Sequence, residues 1–169
     1  MKLLRADIAS FGKFYHRSFF FQDGIHVISG PNEAGKSTLH AFIGAMLFGL
    51  ERGRGKAART APYSRYLPWE HDGVYGGRLS FESDEITFTV ERSLRSDKKA
   101  CYLTREEGGQ LPCSDGKLPD EILEGMTEAI FQNTISIRQL QAAPDASLAE
   151  QLALCFSDVR QTGDPSIRC

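Results

Sequence analysis

The chain contains 169 residues, of which 41% are hydrophobic and 25% are charged, and this composition is typical of one soluble globular domain. The formal net charge of −2 argues against a protein that coats nucleic acid over its whole surface. Lys2, Arg5 and Asp7 interrupt the first apolar run too early for a signal peptide or a membrane span, so we expect a cytoplasmic location and no membrane partner.

The first part of the chain is predicted to be β-structure. Residues 3–10 predict a strand that ends at a bend near Gly12, and residues 17–21 predict a second strand. After a turn, the β-branched run at 25–28 predicts a short third strand. This third strand would lead directly into Gly30.

Residues 38–50 predict a helix with one buried face, because apolar side chains recur at steps of three and one. A glycine-rich basic loop, residues 51–72, follows the helix, and we expect it to be mobile. This basic loop is a local positive patch on a chain whose net charge is negative. Its basic side chains before Tyr66 are Arg52, Arg54, Lys56, Arg59 and Arg65.

The second half of the chain begins with a different pattern. Residues 75–105 alternate with period two and predict an antiparallel β subdomain. Residues 119–131 predict a helix with a break near Gly125, and residues 134–138 predict a strand. A last helix is predicted from Ser147, which has a glutamate at capping-box spacing.

The cysteines and histidines show no spacing typical of a metal site. The cysteines include no C-x-x-C pair, and the histidines form no ligand set. We therefore interpret the cysteines as free thiols and expect no zinc site. The cysteines are Cys101, Cys113, Cys155 and Cys169.

A phosphate-binding pattern, G-x-x-x-x-G-K-[ST], lies between the third predicted strand and the predicted helix. Glycines at these positions allow backbone N–H groups to surround a phosphate, and the start of the helix adds its partial positive charge. We expect Lys36 to reach the β- and γ-phosphates of ATP, Ser37 to ligate Mg²⁺ and Thr38 to lie near the α-phosphate. The predicted nucleotide-binding residues of this loop are Gly30, Asn32, Glu33, Ala34, Gly35, Lys36, Ser37 and Thr38.

A phosphate-binding loop alone does not define a reaction, because kinases, GTPases, motors and transporters share it. The wording Asn-Glu-Ala-Gly-Lys-Ser-Thr at 32–38, together with residues 66–69, 75–79 and 137–139, resembles the N-terminal ATPase lobe of the SMC-like, ABC-type DNA-repair ATPases. This group includes SbcC, RecF and RecN, and the sequence is most similar to its bacterial YhaN-like branch. The resemblance covers nearly the whole chain.

The resemblance implies an α/β P-loop NTPase of the ABC/SMC head type, with a mixed sheet around the P-loop helix and an antiparallel β subdomain. Residues 1–160 would form a single ATPase lobe, in which residues 119–141 carry a helical segment and the Q-loop. Residues 161–169 would lead toward a coiled coil that is missing here. The resemblance thus implies a fragment of a longer protein.

Two further residues are assigned through the resemblance. Gln139 is similar to the Q-loop glutamine of the family, and it would ligate Mg²⁺ and orient the attacking water beside Lys36. Gln141 is a nearby rival, and a surface glutamine without a role is the remaining alternative. Lys13 resembles a family position near the nucleotide, although a surface lysine fits its sequence context almost as well.

Hydrolysis of ATP also needs acidic residues that hold Mg²⁺ and polarise water. We find no apolar strand that ends in such residues, and no Leu-Ser-Gly-Gly type signature. We therefore expect the chain to bind ATP with negligible turnover, and hydrolysis to require the C-terminal lobe of the full-length protein. Two alternatives stay open: a non-catalytic nucleotide-binding module and a small P-loop phosphotransferase.

The expected partners also come largely from the resemblance. Two ATPase heads would pair as a homodimer when ATP binds, and a nuclease of the calcineurin-like metallophosphoesterase type would join them. Arg52, Arg54 and Arg59 could bind DNA phosphates without sequence preference; contact with ATP or the partner head, or no specific role, are the alternatives. Trp69 could stack on adenine, but anchoring of the loop by burial is the favoured interpretation.

Overall fold

The computed structural model describes residues 1–69, 74–95, 100–113 and 116–136. The chain divides into two compact units, Met1–Gly125 and Met126–Cys169, which are described separately. Within the described residues, the first unit contains a six-stranded sheet with the strand order β2-β1-β3-β4-β5-β6. The strands are β1 (Lys2–Phe11), β2 (Phe14–Phe20), β3 (Gly76–Ser83), β4 (Ile86–Ser93), β5 (Ala100–Arg105) and β6 (Gln110–Leu111). The helical elements of this unit are α1 (Lys36–Phe48), a 3₁₀ turn (Gly55–Arg59) and α2 (Pro62–Arg65).

The first hairpin follows from the alternation of side chains in β1. Ala6, Ile8 and Ser10 are buried and point to one face of the sheet, as the two-residue period of a strand requires. Phe11 pairs with Phe14 across the tight turn between β1 and β2. Gly12 has a φ of 53° in this turn, a left-handed conformation that glycine adopts readily. On its other side β1 pairs with β3.

Helix α1 packs on the sheet against β1, β3 and β4. Phe42 is fully buried in this contact, and its ring centroid lies 5.4 Å from that of Phe11. A Cβ atom at Gly77 in β3 would overlap the carbonyl oxygen of Asp7 in β1 and lie 3.1 Å from Phe42 Cζ, so glycine allows the close approach of both the strand and the ring. Burial of such a side chain contributes roughly 1.5–3 kcal/mol to the free energy of unfolding. The core therefore fixes α1, and with it the loop before α1, against the sheet.

The C-terminal end of α1 is held by a buried arginine from the sheet. Arg92 in β4 donates from Nε to the carbonyl of Met46 (3.1 Å), from Nη2 to that of Leu47 (3.2 Å) and from Nη1 to that of Gly116 (2.5 Å). The last carbonyls of a helix lack intrahelical partners and carry partial negative charge, so the guanidinium satisfies two of them. Burial lowers the pKa of Arg92, but an arginine stays charged in a protein.

Several sequence predictions are confirmed by these elements. The strands at 3–10 and 17–21, the helix at 38–50 and the antiparallel strands within 75–105 are all present, with bounds that differ by a few residues. The predicted strand at 25–28 is wrong, since this segment belongs to no strand and Ile25 and Val27 are 95% and 84% exposed. A β-branched run becomes a strand only beside a hydrogen-bonding partner, and none of the described strands pairs with it.

The sheet also differs from the expected mixed arrangement. All pairings between its described strands are antiparallel. Because β3 pairs directly with β1, the strands within 75–105 continue the sheet of the first hairpin and do not form a separate antiparallel subdomain. Helix α1 accordingly lies on an antiparallel sheet.

Residues 119–125 form successive turns instead of the predicted helix. The N–H of Ile122 donates to the carbonyl of Pro119 at 3.2 Å. Glu124 and Gly125 then have φ values of 54° and 71°, which a right-handed helix does not accommodate. The apolar spacing alone therefore predicted a longer helix than the one that forms.

The second unit is described from Met126 to Ser136. Thr127 accepts a hydrogen bond from the N–H of Ile130 at 3.2 Å and so caps the short helix α3 (Glu128–Ile130). A π-helical turn (Phe131–Ile135) follows.

The predicted strand at 134–138 is wrong for Thr134 and Ile135, which belong to the π-helical turn. Its last two residues, the candidate glutamines at 139 and 141 and the helix predicted from Ser147 all lie outside the described residues. Among the helices of the described ranges, none is long and apolar enough to cross a membrane.

Candidate functional site

The glycine loop, residues 30–35, connects the segment at 25–28 to α1. Glu33 and Gly35 have positive φ values of 65° and 107°, and the N–H of Ala34 donates to the carbonyl of Pro31 at 3.2 Å. Positive φ values at two nearby positions bend the backbone sharply. The loop is therefore compact.

The N-terminal end of α1 is open to an anion. The helix begins at Lys36 and has 13 residues; its N-cap, Gly35, makes no side-chain cap, and the first turn holds no acidic residue. The first N–H groups of a helix have no intrahelical acceptors and carry partial positive charge. An anionic group is therefore favoured beside the glycine loop.

Lys36 folds back over the glycine loop. Its Nζ atom donates to the carbonyls of Gly30 (2.6 Å) and Pro31 (2.8 Å), and the residue is exposed. These two bonds hold the ammonium group on the loop itself. The positive charge that the sequence predicts at the site is thus placed over the loop without an acidic partner among these contacts.

The turn between β1 and β2 lies against the glycine loop. Lys13 in this turn donates from Nζ to the carbonyl of Glu33. The Phe14 ring contacts Gly35, where a Cβ atom would come within 3.0 Å of Cε1 and 3.2 Å of Cε2. Glycine is therefore required at position 35 for two reasons. Its φ favours glycine, and the Phe14 ring leaves no room for a side chain.

The same turn is held from its other side by residues 66–69. The N–H of Gly12 donates to the carbonyl of Tyr66 at 2.8 Å, and the carbonyl of Gly12 accepts from the N–H of Trp69 at 3.2 Å. The Tyr66 ring stacks on Phe11 with centroids 5.0 Å apart. A Cβ atom at Gly12 would lie 3.2 Å from Cγ2 of Thr38, so the turn also touches the first turn of α1.

Trp69 is 69% exposed, so the favoured prediction that it anchors the loop by burial is wrong. Its backbone N–H makes the anchoring contact with Gly12 instead. The indole ring is therefore an exposed aromatic surface on a segment tied to the turn that carries Lys13. Tyr66, for which the sequence predicted no contact, is half-buried and stacks on the buried Phe11 ring instead.

The basic loop contains an anchored part and exposed cations. Arg52 places its guanidinium carbon 4.0 Å from the centroid of the Tyr63 ring, a cation–π contact. The hydroxyl of Tyr75 donates to the carbonyl of Tyr63 at 2.9 Å, and burial raises the pKa of Tyr75. Arg52, Arg54 and Arg59 are all exposed, but of the three only Arg52 has a cation–π contact among the described residues. The structure therefore distinguishes Arg52 from the other two arginines that the sequence grouped with it.

The structure brings together those of the predicted nucleotide-binding residues that lie within its described ranges. Lys13, Glu33, Gly35 and Lys36 belong to one contact network, with Ser37 exposed and Thr38 half-buried just after them. Gln139 lies outside the described residues. Phe14 is the site residue that sequence reasoning missed, because a phenylalanine in a strand gives no sign of which glycine its ring will contact.

The chain belongs to a family defined by an AAA domain, whose model matches residues 1–149. Membership in this family of AAA-type ATPases implies a P-loop NTPase and indicates nucleotide binding and ATPase activity as the general function of the domain.

The chain is also similar in sequence to a protein of Bacillus subtilis (strain 168) that is described as "Uncharacterized protein YhaN". It is 29% identical over 134 residues, which cover 78% of this chain and 12% of the relative. The aligned part of this chain thus spans only about an eighth of that relative's length.

Proposed function

We propose that this chain binds ATP with Mg²⁺ at the glycine loop and forms the N-terminal part of an SMC-like ATPase head that acts in DNA repair or recombination. The observation that carries the nucleotide site is the position of Lys36. Its ammonium group lies over the loop, on two backbone carbonyls, beside a helix start that has no acidic residue. A polyphosphate is the ligand that such a constellation favours.

In this proposal each residue has the role that its position in the sequence motif suggests. Lys36 exchanges its two carbonyl acceptors for the β- and γ-phosphates, and Lys13 adds a second cation from the neighbouring turn. The backbone from Asn32 through Ala34 to Gly35 surrounds the phosphates. Ser37, exposed at the first turn of α1, would supply a hydroxyl ligand to Mg²⁺, and Thr38 would contact the α-phosphate region of the nucleotide.

Other parts of the longer protein complete the head in this proposal. Ile25 and Val27 are almost fully exposed before the glycine loop, and this apolar segment supports the idea that a strand from a C-terminal lobe pairs with it. Burial of each side chain would add roughly 1.5–3 kcal/mol to the association. That lobe would also bring the acidic residues that hydrolysis needs. Gln139 of this chain would ligate Mg²⁺ and position the attacking water.

Binding of ATP would pair two heads, and hydrolysis would release them. The exposed arginines of the basic loop would then contact DNA, and a calcineurin-like nuclease is the proposed protein partner. The chain alone is expected to bind ATP with negligible turnover. The rival function is a non-catalytic nucleotide-binding module; ATP that stays bound and unhydrolysed in the full-length protein would favour that rival, whereas a phosphorylated acceptor would favour a phosphotransferase.

The nucleotide site is tested by titration of a fluorescent ATP analogue with Mg²⁺ into the chain and into Lys36→Ala. Charge-assisted hydrogen bonds contribute about 1.5–3 kcal/mol each, so the loss of one or two bonds lowers the affinity by about 10-fold to 10⁴-fold. Lys117→Ala is the matched control, since Lys117 is exposed and follows Gly116, which contacts Arg92 at the far end of α1. Equal affinities of Lys36→Ala and Lys117→Ala would overturn the proposed site.

A further inference from the structure

Two cysteine side chains meet at the edge of the sheet in the first unit. Sγ of Cys101 lies 3.4 Å from Sγ of Cys113, and both thiols are free and half-buried. Cys101 belongs to β5, and Cys113 follows β6 by two residues. The β5–β6 register pairs Leu103 with Leu111, and its continuation by two residues places the two cysteines opposite each other.

We propose that Cys101 and Cys113 form a redox-active pair, which a low-molecular-weight disulfide converts reversibly into an intramolecular disulfide bond. A disulfide has an S–S bond of about 2.05 Å, so the two sulfurs must approach by about 1.4 Å from their present separation. Such a movement is small for Cys113, which lies two residues beyond the two-residue strand β6. This inference is independent of the proposed nucleotide site.

The contacts of the pair indicate the order of the reaction. The S–H of Cys101 donates to Sγ of Cys113, and burial raises the pKa of Cys101 to about 12. Cys101 therefore keeps its proton at neutral pH, while Cys113 is the acceptor in the pair. Because the thiolate is the attacking species, the first attack comes from Cys113.

The first step is the attack of the Cys113 thiolate on one sulfur of the small disulfide RSSR. The S–S bond of RSSR breaks, and RS⁻ leaves and takes up the proton that Cys113 has released. In the second step Cys101 loses its proton to a departing thiolate and attacks Sγ of Cys113, which expels the second RSH. The two protein thiols lose two electrons and two protons in total, and RSSR is reduced to two RSH.

Arg92 supports the second step. It pairs with Cys101 in the register of β4 and β5, and its positive charge opposes the effect of burial on the pKa of Cys101. The same guanidinium donates to the carbonyl of Gly116, three residues after Cys113. The disulfide would therefore tie β5 to the segment that leads to this acceptor, next to the C-terminal end of α1.

The test uses the full 169-residue chain with Cys155→Ser and Cys169→Ser, which removes the other two cysteines. The protein is reduced, treated with oxidised glutathione, alkylated and digested with trypsin. Cleavage after Lys99, Arg105 and Lys117 places Cys101 and Cys113 on separate peptides, 100–105 and 106–117. We expect a linked pair of these peptides that disappears with dithiothreitol, and an increase in Tm of about 4 °C or more on oxidation.

Two single variants in the same background keep the result interpretable, and circular dichroism checks that each is folded. Cys101→Ser should retain one glutathione on Cys113, since the second step has no thiol, and Cys113→Ser should form no link. Absence of the linked peptides in the parent background, or glutathione that stays on Cys113 although Cys101 is present, would overturn the proposal. A linked product whose Tm equals that of the reduced protein would overturn the predicted stabilisation.

Discussion

The Phe14 ring lies directly on Gly35, with no space for a Cβ atom between them. The two residues come from the first hairpin and from the N-cap of α1, so the contact joins the turn of the hairpin to the glycine loop. The shape of the glycine loop is thus supported by a side chain that the sequence motif does not include.

Gly35→Ala is expected to lower both stability and nucleotide affinity. The substitution adds a Cβ atom that overlaps Phe14 and places alanine at a φ of 107°, for which we expect a loss of about 1–3 kcal/mol in the free energy of unfolding. Gly24→Ala is the control, since Gly24 has a φ of 95° but nothing within 4 Å of the added atom. Urea unfolding and ATP titration of both variants measure the difference.

A second substitution separates the steric overlap with Phe14 from the backbone strain at residue 35, because only the overlap depends on the ring. Phe14→Ala in the Gly35→Ala background restores space for the methyl group, and a double-mutant cycle should show a favourable coupling between the two substitutions. Additive effects of the two substitutions would show that the ring contact does not constrain the loop.

Arg92→Met is expected to destabilise the first unit by about 3 kcal/mol. The change removes three hydrogen bonds to carbonyls, and unsatisfied buried carbonyls cost about 1–3 kcal/mol each. Arg78→Met on the neighbouring strand is the control, because Arg78 is exposed and pairs with Glu91 at 2.8 Å; it should cost about 0–1 kcal/mol. Chemical unfolding measures the free energy of unfolding of both variants. Equal losses of this free energy would contradict the role of Arg92 in capping α1.

Trp69 should report nucleotide binding by its fluorescence. It is the one tryptophan of the chain, and its side chain is exposed. Its backbone N–H donates to the carbonyl of Gly12, in the turn that holds Lys13. We expect addition of ATP and Mg²⁺ to change its emission, and Lys36→Ala to lose this change at the same ATP concentration.

Stacking on adenine can be separated from a mere change of environment. Trp69→Phe keeps an aromatic face and should retain ATP affinity, whereas Trp69→Ala should weaken it by several-fold. If the two variants bind ATP equally while emission of the parent still changes, the indole senses the site without contacting the base.

Replacement of Arg52, Arg54 and Arg59 by Ala should weaken DNA binding and reduce its dependence on salt. Each lost phosphate contact lowers the slope of log K against log salt by about 1. We expect Arg54 and Arg59 to account for most of the effect, because the guanidinium of Arg52 lies on the Tyr63 ring. The measurement is DNA affinity over a range of salt concentrations, with Arg78→Ala as control; an unchanged slope would remove DNA from the proposed function.

The elements that the sequence predicted well are those whose signals are local. The spacing of Leu39, Phe42 and Met46 defines α1 without knowledge of its neighbours, because a helix makes its hydrogen bonds within itself. The period-two pattern predicted β3, β4 and β5 for a similar reason, since each of these strands pairs with the next one along the chain.

The errors lie where distant contacts decide. Residues 25–28 have the composition of a strand, but a strand depends on a partner that the segment cannot specify. The burial of Arg92 was also not predictable, because its three acceptors, the carbonyls of Met46, Leu47 and Gly116, lie 24 to 46 residues away from it in the sequence. The phosphate-binding motif was recognisable, whereas its support by Phe14 and Tyr66 depends on how the hairpin packs.

The exposed segment at 25–28 also affects how solution measurements should be interpreted. Ile25, Val27 and Ile28 expose apolar and β-branched side chains, and such segments tend to pair with copies of themselves. The purified chain is therefore expected to self-associate as its concentration increases, with or without nucleotide. Only association that requires ATP and is lost in Lys36→Ala can be taken as pairing of two heads.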